Sequence, residues 1–304
     1  MTSHIVMDKK KVKEWFIKAC RYDSDVCETE KAVAAYKESI RLDSTFTDAY
    51  VNLGFLYLRT KDYEEALDCF QRVADLESDK AEAYKNLAYV YEKMERFGTA
   101  RQLYERTLEL NPDDTEAMLN IAHIEELEGN YHEAVQRYVN AIKKAPEDLT
   151  AHFRLAQLYD RHDMFDEAAL EYEATLGIDP YHTKALFNIG NLCLQEGKYR
   201  QALIFYKRVL LLEPDDKTAW NNMGSAYEEL KDYVRAESSY RHALSLDPYG
   251  EEANFNLARA QHFKYLLRPD NTLREDIVRR LHFVLSVNPQ NEKADRLLRE
   301  LIRE

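Results

Sequence analysis

Apolar residues recur along this chain at helical spacing, in paired stripes joined by short polar turns, and the pairs themselves repeat. In the stretch AWNNMGSAY, residues 219–227, the side chains of Trp220, Met223, Gly224 and Tyr227 fall on one helical face. The small slot in that face recurs at Gly54, Ala88, Ala122, Ala156, Gly190, Gly224 and Ala258. A second stripe carries Ala66, Ala100, Ala134, Ala168, Ala202 and Ala236, each followed four residues later by an aromatic: Phe70, Tyr104, Tyr138, Tyr172, Tyr206 and Tyr240. Turns such as TKDYEEA, EGNYHEA, EGKYRQA and LKDYVRA link the two. Pro112, Pro146, Pro180, Pro214 and Pro248 stand 34 residues apart, each where proline stops the preceding helix. The pattern predicts helical hairpins stacked in series, the small residue of one helix admitting its partner and the alanine and aromatic filling the groove between neighbours.

Period, small slots and closing proline together resemble the tetratricopeptide repeat, over six successive units from roughly 47 to 250. The resemblance implies an all-α fold, a right-handed α-solenoid of tandem helix-turn-helix repeats whose first helices line a concave surface. The ends depart from the pattern. Residues 1–8 are expected to be a flexible N-terminus, and 9–46 a degenerate first repeat with Cys20 in the small slot, Ala32 and Tyr36 in the second helix, and Ser44 where proline would stand. A seventh repeat, 251–290, carries an insertion near 267–276, after which Ile277 to Pro289 resume the second helix seven residues late. Residues 291–304 alternate Leu and Ile with charges as a capping helix does, so that 9–304 is expected to form one continuous solenoid.

Asparagine is a poor residue for a helix interior, yet two stand side by side at 221 and 222. Asn222 lies two residues before the small slot, about 200° around the helix from Trp220, and is expected to point away from the packing face. The same register holds Asn52, Asn86, Asn120, Asn188, Asn222 and Asn256, with Arg154 as the one interruption. A carboxamide offers a donor and an acceptor, and so suits the backbone of an extended peptide whatever its side chains. The series resembles the asparagine ladder in the repeat domain of O-GlcNAc transferase; asparagine is also the commonest residue at this place in the repeat, so the alternative is that repeats inherit it without using it.

Val51, Phe55, Tyr89, Leu119, Phe153 and Phe187 share or border that face and are expected to form apolar pockets where they do not pack on a neighbouring repeat. Tetratricopeptide domains that bind chaperone tails hold a C-terminal carboxylate in a five-residue clamp. In register those places are Lys85, Tyr89, Asn120, Thr150 and Arg154, of which only the Lys, the Asn and the Arg match.

The formal net charge is -13 and the pI about 5.3, a balance that repels phosphate backbones and anionic headgroups, so neither nucleic acid nor membrane insertion is expected. The N-terminus lacks the apolar core of a secretory signal, and runs such as VLLL at 209–212 are too short to span a bilayer; the expected compartment is cytoplasmic. Cys20, Cys27, Cys69 and Cys193 are scattered, with neither metal-ligand spacing nor a disulfide framework. The glycines form no phosphate loop, and the histidines do not cluster beside a nucleophile. No catalytic residue, metal, cofactor or small-molecule substrate is expected.

The reading is a non-enzymatic scaffold or adaptor that holds a peptide segment of a partner protein in its concave groove. The alternatives are a structural or regulatory subunit of a larger complex using its convex face or ends, with Phe263 and Tyr265 beside the insertion as contacts, or a partial carboxylate clamp. The sequence leaves the oligomeric state open.

Overall fold

A computed structural model describes residues 2–303, with side chains from Lys9 to Ile302. Among the described residues there are 17 α-helices, one short turn of 3-10 helix and no strand. The chain forms two compact units, Met1–Pro146 and Glu147–Glu304. In a repeat array each hairpin meets only its neighbours, so compactness is local by construction.

The first unit pairs α1 (Thr2–Asp23) with α2 (Thr29–Leu42), α3 (Thr47–Thr60) with α4 (Tyr63–Leu76), α5 (Ala81–Lys93) with α6 (Phe97–Leu110), and α7 (Thr115–Leu127) with α8 (Tyr131–Lys144). The second pairs α9 (Leu149–Arg161) with α10 (Phe165–Ile178), α11 (Thr183–Gln195) with α12 (Tyr199–Leu212), α13 (Lys217–Glu229) with α14 (Tyr233–Leu246), and α15 (Glu251–Leu267) with α16 (Asn271–Val287), and ends in α17 (Glu292–Arg303). Of residues 1–8, expected to be flexible, the backbone belongs to α1 from Thr2 onward; Met1 and the side chains of this stretch lie outside the described residues.

The small slots do what their spacing predicts. A Cβ added at Gly54 would stand 2.7 Å from Phe70 Cζ, at Gly190 2.9 Å from Tyr206 Cε1, and at Gly224 2.5 Å from Tyr240 Cε1. The aromatics they face are fully buried, as are Tyr36, Tyr104, Tyr138 and Tyr172. Turn chemistry repeats as well. Lys61, Glu95, Gly129, Asp163, Gly197 and Lys231, spaced by 34 residues, all take positive φ between the two helices of a hairpin. Only two are glycine, so the other four hold a left-handed backbone that costs a side chain about 1 kcal/mol.

The insertion is mostly helix. Regular first and second helices run to thirteen or fourteen residues, whereas α15 and α16 have seventeen each. The extra residues lengthen both arms of the hairpin, and only Arg268–Asp270 remain as connection. Leu297, Leu298 and Leu301 of α17 then cover Ala258, Ile277, Leu281 and Val284. Cys69 and Cys193 are buried, Cys20 is half-buried and Cys27 exposed, all as free thiols; burial pushes the Cys69 thiol up to about 12. Among the described residues no helix is long and apolar enough to cross a membrane.

Candidate peptide-binding face

The asparagine series is tied into the stack rather than pointing freely outward. In the first unit Asn52 Nδ2 donates to Cys20 Sγ at 3.6 Å on the preceding hairpin. In the second, Asn188 Nδ2 donates to the Tyr172 hydroxyl at 2.9 Å. Asn222 Nδ2 donates to Asn191 Oδ1 at 2.9 Å, and the same oxygen takes the Tyr206 hydroxyl at 2.8 Å. Asn256 Nδ2 reaches Asn221 Oδ1 at 3.1 Å, while Asn221 Nδ2 donates to Glu252 Oε1 at 3.0 Å. Asn86 and Asn256 are buried outright. The expected outward orientation is thus corrected. Two residues before the small slot, the side chain meets the aromatic end or first helix of the preceding hairpin, and the carboxamide amino group bonds whatever acceptor it finds there. Among the described residues, none donates a hydrogen bond to the carboxamide oxygens of Asn188 and Asn222, and the half-buried Asn120 makes no side-chain hydrogen bond.

Acceptors for the core tyrosines form a second series, which the hydrophobic pattern alone does not reveal. Tyr104 donates to Glu92 at 2.9 Å, Tyr138 to Glu126 at 3.4 Å, Tyr172 to Asp160 at 3.2 Å and Tyr240 to Glu228 at 2.9 Å, always twelve residues back. Where the aromatic is Phe70, without a hydroxyl, the matching position is Leu58; where it is Leu194, Tyr206 turns to Asn191 instead. Burial, with the neighbouring carboxylates, drives the tyrosine pKa values well above the ordinary range. Burial also raises Asp160, against the lowering effect of its bond from Tyr172. The 34-residue recurrence of Glu92, Glu126, Asp160 and Glu228 was the available signal.

The partial clamp fails at its first member. Lys85 Nζ lies 2.9 Å from Glu116, 3.0 Å from Glu82 and 3.3 Å from Asp114. Burial works against its charge, but the hydrogen bonds to Glu116 and Glu82 and the field of Asp114 hold its pKa above the ordinary lysine range. A lysine satisfied by three carboxylates has no charge left for a peptide terminus. Arg154 is half-buried without an ion pair, and its Nη1 is buried with no hydrogen-bond partner.

Of the apolar candidates, Leu119 belongs to the core, 6% exposed, because it packs inside the first unit instead of facing out. Phe55 is 44% exposed, edge-on to Phe70 at 5.2 Å, and Tyr89 is 38% exposed beneath the Lys93 ammonium at 4.5 Å. Phe153 and Phe187, half-buried, come together in the second unit. They line a cavity of about 240 Å³ with Gln157, Asn188, Thr183 and Lys184 from the first helices and Val209, Glu213 and Asp216 from the end of α12 and the start of α13. Phe153 also lies 4.6 Å from the His182 ring, whose Nδ1 accepts the Ala185 amide and caps α11. Of the nine lining residues, only Phe153, Phe187 and Asn188 stood out in the sequence.

At the insertion, Phe263 stacks on Tyr233 at 5.0 Å, so this aromatic packs under the lengthened helix. Beside it Val234 is 68% and Leu267 78% exposed, with Leu230 and Leu266 also at the surface. Among the described residues no cluster of three or more His, Cys, Asp or Glu side chains is placed to hold a metal ion.

Hairpins recurring every 34 residues, a glycine or alanine under the buried aromatics from Phe70 to Tyr240 and a proline closing five successive units define a helical-repeat protein of the interaction-scaffold class. Tetratricopeptide repeat models match residues 46–113, 128–183, 183–216 and 218–249, and a TPR repeat model matches 28–61, together more than half of the chain. The chain belongs to the tetratricopeptide repeat family. No curated protein matches it. Similar solved structures share the fold. The C-terminal part of a TPR repeat-containing protein from Cytophaga hutchinsonii aligns over 82% of this chain and 99% of its own, at 18% identity and a TM-score of 0.66. PilF of Pseudomonas aeruginosa aligns over 74% of this chain and 98% of its own, at 19% identity and a TM-score of 0.58. The Cut9–Hcn1 hetero-tetramer structure of the APC/C aligns over 90% of this chain, at 18% identity and a TM-score of 0.55, and the chain spans 52% of the length of that one.

Proposed function

We propose that this protein is a non-enzymatic scaffold that holds an extended peptide segment of a partner along the first-helix face of its second unit, across α9, α11 and α13. The observation that carries the reading is the cavity between Phe153 and Phe187, with the Asn188 carboxamide at its wall. Aromatic surface supplies burial for one side chain, and the free carboxamide oxygens of Asn188 and Asn222 supply acceptors for the amides of a strand lying over it. The asparagines act by halves: the amino group fixes the hairpin stack and the oxygen faces the guest.

Selection of short random peptides on the intact chain, counter-selected on the Phe153→Ser, Phe187→Ser double variant, tests this. Peptides that bind the first and lose the second support the reading, provided circular dichroism shows equal helicity. Peptides that bind both equally refute it. A second reading has its own support: the exposed Leu230, Val234, Leu266 and Leu267 beside the Tyr233–Phe263 stack fit a subunit that docks through its lengthened hairpin. Selected peptides that lose binding only on Leu267→Asp favour that one.

A further inference from the structure

The cavity at Phe153 and Phe187 has a counterpart one repeat later, and the difference between the two identifies the kind of side chain the first one takes. Counted by 34 residues, Thr183, Phe187, Val209, Glu213 and Asp216 become Lys217, Asn221, Ala243, Asp247 and Gly250, which line a smaller cavity of about 170 Å³. There Lys217 Nζ lies 2.6 Å from Asp247 Oδ2, and the two further acids of that lining, Glu251 and Glu252, accept hydrogen bonds from Asn288 and Asn291 and from Asn221. In the first cavity Thr183 stands in place of the lysine, and among the described residues Glu213 has no ion pair; nor does Asp216, whose Oδ1 caps α13 by accepting the Thr218 and Ala219 amides. Lys184 lines the same cavity, and among the described residues no ion pair joins it to either carboxylate. The walls change together with the charge. Asn221 occupies the counterpart of Phe187, so the smaller cavity lacks an aromatic wall and the larger one has two.

Two aromatic faces with an uncompensated carboxylate at the rim favour a long side chain that is apolar along its stem and cationic at its tip. The stem packs on the rings, the charge is attracted by their faces, and the tip reaches the acid. A chain of net charge -13 also draws basic segments from solution. Resting on the peptide-binding reading above, we infer that this cavity is a pocket for an arginine or lysine side chain, and that the partner segment is basic.

The test uses pools of otherwise random peptides in which one central position is fixed as Arg, Lys, Leu, Phe or Glu, with affinities read by fluorescence anisotropy on the full chain. The Arg and Lys pools bind the wild type about three- to tenfold more tightly than the Leu pool, the range of one charge-assisted contact at a partly exposed rim. Thr183→Lys, which supplies Glu213 with the partner its counterpart already has, removes that preference without touching the aromatic walls; Glu213→Gln does the same. Glu213 is exposed and Thr183 half-buried, and circular dichroism checks the fold of both variants. If the Leu or Phe pools bind best and Glu213→Gln changes nothing, the basic class is overturned while the groove reading stands. If no pool binds, both are overturned.

Discussion

The hydroxyl of Tyr104 donates to Glu92 Oε2 across 2.9 Å, joining the buried aromatic of one helix to a carboxylate on its hairpin partner. One repeat earlier the same two places hold Phe70 and Leu58, an apolar pair in an otherwise equivalent setting. Phe70→Tyr alone therefore places a hydroxyl in the core without its acceptor and costs about 1–3 kcal/mol. Adding Leu58→Glu recovers part of that cost, since it rebuilds the bond seen at Tyr104. Urea denaturation of the two single variants and the double one gives the coupling; strict additivity would show that the two positions do not meet.

Two helical glycines make opposite predictions. At Gly224 a Cβ would enter the Tyr240 ring at 2.5 Å, whereas at Gly177 nothing lies within 4 Å of where it would be. Gly224→Leu costs about 1–3 kcal/mol by overpacking, and Gly177→Ala gains up to about 1 kcal/mol from helix propensity. Melting temperatures that move the same way in both variants would contradict the packing register.

The hairpin turns store removable strain. Glu95 sits at φ 59 where Gly129, one repeat later, sits at φ 81. Glu95→Gly is expected to stabilise the first unit by about 0.5–1 kcal/mol, the difference between a side chain and none in the left-handed region. An unchanged or lower denaturation midpoint would count against it.

Asp160 makes stability depend on pH. Burial raises its pKa in the folded chain above the ordinary 3.8, so on unfolding it releases its proton more readily. Its favourable share is therefore complete below the unfolded value and is lost as pH rises through the folded one. Asp160→Asn keeps an oxygen for the Tyr172 hydroxyl and removes this titration. The variant is more stable than the wild type at about pH 7 and shows no such advantage at about pH 3. Parallel stability curves across that range would overturn the assignment.

The hairpin architecture was legible because it depends on volume and backbone, which residue type reports directly: Gly190 and Gly224 mark where a ring presses close, and Pro180 and Pro214 where a helix must stop. What a polar side chain does at a given register was less legible, because it depends on the preceding hairpin. Asn188 is held because Tyr172 offers a hydroxyl, while the hairpin before Asn86 offers Phe70 and no hydroxyl. Lys85 looked like a clamp residue until Asp114 and Glu116, from the next repeat, were seen to enclose it. The insertion near 267–276 showed only as a delay of the second helix, since nothing in its length tells whether extra residues bulge out or extend two helices in step.

The central claim, that a guest peptide lies over α9 and α11, is tested most directly by photo-crosslinking. A benzophenone side chain introduced as Phe187→p-benzoylphenylalanine, and in a separate preparation as Leu267→p-benzoylphenylalanine, is illuminated with labelled peptides selected on the wild-type chain, and adducts are quantified by mass spectrometry. The account predicts adducts from position 187 several-fold above those from 267, suppressed by excess unlabelled peptide. Adducts formed only at 267 would move the binding surface to the lengthened hairpin and contradict it.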